Sequence, residues 1–390
     1  MSAFELATAG RVVFGAGAQR QVAAAVASTG ARQVLLVTGA SPARAATLAG
    51  DLAAAGLGVT PFAIGGEPTL DVARAGVAAA RAAAAGAVVA LGGGSALDGG
   101  KAIAALAAND GDPLDYLEVV GAGRALARPS LPFFAVPTTA GTGSEVTRNA
   151  VLSVPDARVK ASLRSPLMLP RLAAVDPDLL GALPPAVVAS SGLDALSQVI
   201  EPFLSIRANP LTDALARDGI GRSARALRRA YAGELAHDAG LREDLALASL
   251  TGGLCLANAG LGAVHGFAAP AGGMFGAPHG AVCAALLPHV LDVNLRALRA
   301  RAPAHPALPR FQELAALLTG ARAADVTAED GVAFVAALTR DLGVPGLGSH
   351  GMRAGDVAAL VEKAKQASSM KGNPLPLTDD ELTEIARRAL

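Results

Sequence analysis

The sequence predicts an N-terminal α/β domain, a parallel sheet flanked by helices, followed by an all-helical C-terminal domain. Three observations carry this. Short apolar, β-branched runs alternate with Ala-rich helical segments from residue 11 onward, the pattern of a doubly wound parallel sheet. The alternation ends at AAVDPDLLGALPP (173–185), a stretch rich in Pro, Asp and Gly. Beyond it helix follows helix, with Pro or Gly at the connections and no repeat of fixed period. The expected domains are residues 1–182 and 183–390.

In the first domain, RVVFGAG (11–17) reads as a short strand and turn, and QRQVAAAVAST as a helix. QVLLVTG (33–39) is apolar and β-branched, as a buried parallel strand should be. SPARAATLAGDLAAAG has helical composition, with Ser41 as candidate N-cap and Pro42 at the first helical position. GVTPFAI is the next strand and DVARAGVAAARAAA the next helix. AVVALGGGSALDGGKAIAAL (87–106) is a strand running directly into a helix, and FFAVPTTAGTGSEVTRNAVLS (133–153) holds a second polar loop.

In the second domain, PAVVASSGLDALSQVIEPFL, PLTDALARDGIGRSARALRRAY, LREDLALASLTGGLCLANAGLGAVHG and AVCAALLPHVLDVNLRAL read as helices, with four more before the C-terminus. His265 then lies near the end of an apolar segment that Pro270 and two glycines stop, and His279 follows Pro278 into the next run. An α/β domain beside a helical one is expected to form a cleft, the usual place for a substrate.

A chain of 390 residues can hold two real cores. With 52% hydrophobic and 17% charged residues it is globular rather than disordered. Lys+Arg and Asp+Glu both number 33, so no global field recruits nucleic acid or an anionic membrane. The basic run RALRRAY (225–231) reads as a solvated helix face. Cys255 and Cys283, both in apolar surroundings, read as buried thiols in a reducing compartment. The start MSAFELATAGRVVFG lacks the basic-then-apolar order of a signal peptide. Apolar runs are broken by glycines and read as too short to span a bilayer. A cytoplasmic homodimer acting on a small molecule is expected.

Three side chains of the second domain can ligate a metal: Asp194, His265 and His279. Gln198 lies four residues after Asp194, which puts the two on one face of a helix. A helix N-terminus disfavours the imidazolium, so His279 is expected to stay neutral, the form a metal needs. One carboxylate and two imidazoles suit a catalytic divalent ion with an open position. Spacing alone also allows ordinary core histidines.

In the first domain, Gly92, Gly93, Gly94 and Ser95 come straight after a strand and straight before a helix. Glycines there admit a pyrophosphate to the backbone, and the helix N-terminus offers free N–H groups. Sharp strand-to-helix turns also use glycine for shape alone. The loop PTTAGTGS offers hydroxyls and bare backbone; it also reads as an ordinary turn.

Taken together, GGGSALDGGK, PTTAGTGSE, VDPDLL, GLDAL, VHG, PHG, LLPHV and the NP at 373–374 resemble the iron-containing, or group III, alcohol dehydrogenases over essentially the whole chain. The resemblance implies that family's fold and NAD(P)-dependent interconversion of alcohols and carbonyls. It implies cofactor contacts for Asp98 as well as GGGS. Along the second loop it places Thr138 and Thr139 near adenine and ribose, and Gly143 and Ser144, with Thr142, nearer the nicotinamide. Lys160 matches another position close to the cofactor, against its reading as a solvated strand-end lysine.

Family members commonly hold Fe²⁺ or Zn²⁺ with one Asp and three His. Asp194, His265 and His279 match three of these, whereas Gln198 replaces the fourth, as a weak amide ligand or a holder of metal-bound water. Relatives acting on glycerol also use an Asp and two His. A second departure is Ala269, where many relatives carry a His that relays a proton. Many NAD-preferring relatives have an Asp after VT; Gly39 stands here, with Ser41 and Arg44 nearby, which favours NADP(H) over NAD(H) or allows both. The expected mechanism is Lewis-acid polarisation of the substrate oxygen with hydride transfer at nicotinamide C4. Asn149, Asn258, Phe267, Met370 and Lys371 are candidates to line the substrate. Competing readings are a metal-independent reductase similar to maleylacetate reductases, a lyase resembling dehydroquinate synthase, and an inactive binding protein.

Overall fold

The computed structural model describes residues 3–390. The chain divides into an α/β unit, Ala7–Thr139 with Gly143–Gly181, and a helical unit built on Ala182–Leu390 with Ala140–Thr142 and residues 3–6.

The α/β unit runs β1 (Val12–Phe14), α1 (Gln21–Ala27), β2 (Gln33–Thr38), α2 (Ala46–Ala54), β3 (Gly58–Ala63), α3 (Leu70–Ala82), β4 (Ala87–Gly92), α4 (Gly94–Ala107), the short α5 (Pro113–Tyr116), β5 (Phe133–Pro137), β6 (Asn149–Val154), β7 (Val159–Arg164) and β8 (Leu172–Val175). Among the described residues six strands form one parallel sheet in the order β1-β8-β5-β4-β2-β3. Side chains alternate between its faces. Val34 and Leu36 of β2 join Val22 and Val26 of α1 and Leu48 and Leu52 of α2 in one core. Leu35 and Val37 turn the other way, toward Ala80 of α3 and Leu97 and Ile103 of α4. Both faces are thus covered, which is why β2, β4 and β5 are continuously apolar.

One detail differs from the expectation. Ser41 makes no capping hydrogen bond, and the segment after it opens as a 3₁₀ turn, Pro42–Ala45, before α2 begins. NAVLS does not join the main sheet. It forms β6, which pairs antiparallel with β7, and this hairpin packs Ala150, Leu152 and Leu163 with residues of α3 and α4 in a separate core. Alternating half-buried and buried positions along β6 fit a ribbon with one apolar face, not an interior strand.

The helical unit contains α6 (Pro185–Leu204), α7 (Pro210–Tyr231), α8 (Ala239–Ala259), α9 (Ala263–Phe275), α10 (His279–Arg301), α11 (Ala307–Thr319), α12 (Ala328–Asp341), α13 (Val357–Gln366) and α14 (Asp379–Arg388). Starts are fixed by side chains: Asn209 accepts from Leu211 N–H and Thr212 N–H ahead of α7, and Asp238 accepts from Leu241 N–H ahead of α8. From Val188 onward α6 is buried almost throughout, enclosed by α7, α8 and α10.

The expected single helix through LANAGLGAVHG is two. The chain turns by 100° between α8 and α9, at Gly260, whose φ of 70° ends α8. His265 therefore stands in the first turn of α9, and Pro270 sits inside that helix instead of stopping it. Proline removes one rung of the ladder, a loss that packing of the surrounding buried helix offsets. The estimate of bilayer-spanning length also needs correction: α10 is long and apolar enough to cross a membrane, but 78% of its apolar window is buried within the protein, as in a core helix. RALRRAY presents its arginines on a solvated helix face, as expected, and there they are ion-paired. Arg225 bonds Asp244, Arg228 bonds Asp341, and Arg229 bonds Glu234 and Asp238.

Candidate metal centre and cofactor-binding turns

In the α/β unit, Gly39 directly follows β2 and Gly92 ends its neighbour β4. The connection from β2 leads to β3 on one side, and that from β4 leads to β5 on the other. The crevice at such a reversal, beyond the strand C-termini, is where open α/β sheets take ligands. Helix α4 starts at Gly94 with Gly93 as its N-cap, and no side chain caps it, so its first N–H groups suit an anion. Gly39 is half-buried, and a Cβ there would meet nothing within 4 Å. Ser41 is exposed beside it, but Arg44 donates to the Leu179 carbonyl at 2.7 Å.

Thr138 is buried with its N–H on the Gly92 carbonyl, 2.9 Å away, and Thr139 is half-buried. Gly143 has φ 60°, a conformation that requires glycine in all but strained cases. Asp98 does more for the loop than its expected role suggests. Its carboxylate accepts from the Ser144 hydroxyl and, at 2.9 Å, from Val151 N–H. The fully buried Lys101 ammonium donates to the Ser144 carbonyl at 2.7 Å, with Thr147 Oγ1 at 2.9 Å and the Asn149 carbonyl at 2.7 Å also within reach. Burial lowers the Lys101 pKa to about 8 against the pull of Asp98 and Glu145. Burial likewise raises Glu145 to about 7. Lys160 is buried on β7, not solvated at a strand end, and its Nζ lies 2.6 Å from Glu67.

In the helical unit, α6, α9 and α10 bring Asp194, His265 and His279 together. Asp194 Oδ1 lies 3.3 Å from His265 Nε2 and 3.7 Å from His279 Nε2. The imidazole centroids are 5.4 Å apart. Gly280 permits this approach: a Cβ there would stand 2.5 Å from the Ser190 carbonyl oxygen of α6. Asp194 is 1% exposed and its Oδ1 has no hydrogen-bond partner. Gln198, on the same face, donates Nε2–H to the Gly141 carbonyl at 3.2 Å, while its Oε1 is buried and unpartnered. Two orphaned oxygens beside two imidazoles are costly in a dry interior and are what a cation would satisfy.

Sequence reasoning missed two residues here. Glu201, seven positions after Asp194 on the same helix, places Oε2 2.7 Å from His265 Nδ1 and accepts Val264 N–H through Oε1 at 2.6 Å. Cys283, one turn after His279, sets its sulfur 3.7 Å from Nε2 of both histidines. The candidate donor atoms of Asp194, His265, His279 and Cys283 all lie within 4.8 Å of one another. A helical spacing of four or seven was the available signal in each case.

His279 opens α10, behind Pro278, as expected. Burial lowers its pKa, yet Cys283 and Asp194 outweigh burial and the neighbouring His265, leaving it raised to about 9 in the absence of a metal. His265 is raised well above its usual value: burial opposes this, and Cys283, Asp194 and Glu201 prevail. Asp194 is held below the usual carboxylate range by His279, His265 and Cys283, against burial. Such a cluster already stabilises positive charge, which a divalent ion would supply in place of two protons.

The lining candidates lie on several elements. Phe267 is fully buried in α9. Met370 lies against Gly266, and Lys371 is exposed. Asn258 donates to the Leu254 carbonyl one turn back. Asn149 begins β6 in the α/β unit. Ala269 is half-buried one turn after His265.

Several known proteins resemble this chain in sequence and fold. Lactaldehyde reductase of Escherichia coli (strain K12) is 34% identical over 390 residues, spanning 96% of this chain and 97% of that protein. A solved structure of 1,3-propanediol oxidoreductase superposes with a TM-score of 0.90 at 34% identity, covering 100% of both chains. Sulfoacetaldehyde reductase from Bifidobacterium kashiwanohense, solved with NAD⁺, gives 0.84 at 28% identity over 99% of this chain and 98% of that one. Residues 9–177 match the family described as iron-containing alcohol dehydrogenase, and residues 188–390 match that family's C-terminal domain. Matched in order from its first strand to its last helix, the chain belongs to the iron-containing alcohol dehydrogenases, oxidoreductases that act on CH–OH groups.

Proposed function

We propose that this oxidoreductase interconverts short hydroxylated alcohols and their aldehydes, using NADP(H) in preference to NAD(H) and a divalent metal held by Asp194, His265 and His279. The convergence of these three side chains, with Asp194 Oδ1 buried and unpartnered, carries the reading. The substrate class rests on relatives named for lactaldehyde and 1,3-propanediol.

A divalent ion at the centre supplies Lewis-acid polarisation of the substrate oxygen, and the nicotinamide supplies or accepts hydride. Asp194 contributes the one anionic oxygen among these three donors. Glu201 fixes the His265 ring by its Nδ1, leaving Nε2 toward Asp194. Gln198 acts as a weak ligand or holds a water. The N-terminus of α4, with GGGS, binds pyrophosphate. Asp98 and Lys101 set the shape of the loop at Ser144. Ala269 cannot move a proton, so protons leave through water or through substrate and cofactor hydroxyls. We place the enzyme in a reducing cytoplasm, in keeping with two free buried cysteines.

The test is metal content by mass spectrometry beside NADPH-linked reduction of a panel of short aldehydes. Full activity after chelation, with no metal detected, would overturn the metal reading and favour a metal-independent reductase.

A further inference from the structure

We propose that Cys283 is the fourth protein ligand of the metal, in place of Gln198, and that it makes the centre prefer Zn²⁺ to Fe²⁺. The proposal rests on the metal centre proposed above.

The geometry comes first. For a tetrahedral zinc site, bond lengths of about 2.3 Å to sulfur and 2.0–2.1 Å to nitrogen and oxygen place neighbouring donor atoms roughly 3.3–3.6 Å apart. The Asp194 Oδ1 to His265 Nε2 edge is 3.3 Å and the Asp194 Oδ1 to His279 Nε2 edge is 3.7 Å. Both edges from the Cys283 sulfur to the histidines are 3.7 Å. Small inward movements of side chains would close these distances around one ion. Cys283 is 0% exposed and stands one turn after His279, so both project from the same face of α10. The unpartnered Asp194 oxygen, on a side chain 2% exposed, is an independent sign that the pocket is built for a cation.

Gln198 is the weaker candidate. Its amide nitrogen is engaged by the Gly141 carbonyl, and its oxygen is neutral. The Cys283 thiol loses its proton to solvent on metal binding and brings a negative charge. A thiolate, two imidazoles and a carboxylate form a softer set than imidazoles and carboxylate alone, and softness favours zinc over ferrous iron.

The experiment uses the full-length enzyme. Wild type, Cys283→Ser and Gln198→Ala are stripped and reloaded with Co²⁺, and absorption is recorded in the visible and near ultraviolet. Wild type and Gln198→Ala should show a near-ultraviolet thiolate-to-cobalt band, and Cys283→Ser should keep the visible cobalt bands while losing it. X-ray absorption of zinc-loaded wild type should contain a sulfur shell at about 2.3 Å, a readout that needs no variant to fold. In competition, wild type should favour Zn²⁺ over Fe²⁺ at least tenfold more than Cys283→Ser does. Visible cobalt bands without a thiolate band in wild type, or zinc with only nitrogen and oxygen neighbours, would overturn the role of Cys283 and leave the three-residue centre standing. No stoichiometric binding of either metal would overturn both.

Discussion

Glu201 Oε2 lies 2.7 Å from His265 Nδ1, so a carboxylate on α6 orients an imidazole on α9 whose other nitrogen faces Asp194, itself on α6. Helix α6 thus holds His265 from both ends of its ring. The same glutamate pins the start of α9 through Val264 N–H. Replacing it should loosen ring and helix together. We expect Glu201→Gln to weaken metal affinity about 10–100-fold. Metal titration should read this, with circular dichroism to show that the fold persists. Unchanged affinity in a folded variant would make Glu201 only a cap for α9.

The ligands should rank by charge. Asp194→Ala would remove the only carboxylate among the proposed ligands, so metal and activity should fall together, by more than the roughly 100-fold upper end typical of outer partners. Gln198→Ala should cost about tenfold or less, because water can replace an amide oxygen. Gln198→His should tighten binding of Fe²⁺ or Zn²⁺. Dissociation constants for the three variants check this order, and an Asp194→Ala enzyme that kept its metal would refute it.

Much of this was legible in the sequence, for identifiable reasons. Strands β2, β4 and β5 are buried on both faces, so their apolar runs declare them. Asp194 and Gln198 lie one helical turn apart, so their shared face follows from spacing. The strand order β1-β8-β5-β4-β2-β3 depends on pairing between distant segments, which no local pattern carries. The break at Gly260 was missed because Pro270 is the stronger stop signal in isolation, while burial of α9 overrides it. Cys283 reads as a core thiol because its chain neighbours are apolar; only the fold shows two histidines beside it. The arginines of 225–229 are solvated as read, but their ion pairing is not legible because partners lie on other segments, as Asp341 does for Arg228.

Cofactor choice should turn on Gly39. A Cβ there meets nothing within 4 Å, so Gly39→Asp can begin a side chain in open space. At the end of β2, beside the turn into α4, that charge would repel a 2′-phosphate and accept a hydrogen bond from a free 2′-hydroxyl. We expect the ratio of kcat/KM for NADPH over NADH to fall by tenfold or more, about 1.4 kcal/mol. Wild type with a clear preference for NADH would contradict the assignment.

The buried pair Lys101 and Glu145 should shape stability against pH, with opposite signs in two windows. Glu145 is raised from 4.5 to about 7, chiefly by burial. Between those values the native state holds a proton that the unfolded chain releases, so its contribution is present below about pH 4.5 and is lost as pH rises to about 7. Lys101 is lowered from 10.5 to about 8, again by burial. Between about 8 and 10.5 the unfolded chain holds the extra proton, so this group's contribution improves as pH rises. Glu145→Gln, which keeps the shape and cannot ionise, should therefore flatten the decline between pH 4.5 and 7, while the alkaline limb persists and starts at lower pH, because Lys101 loses the Glu145 charge that holds it up. Urea unfolding of wild type and Glu145→Gln at half-unit pH steps, without added metal, measures both limbs. Parallel curves for the two proteins between pH 4.5 and 7 would mean that Glu145 ionises as easily in the folded chain as in the unfolded one.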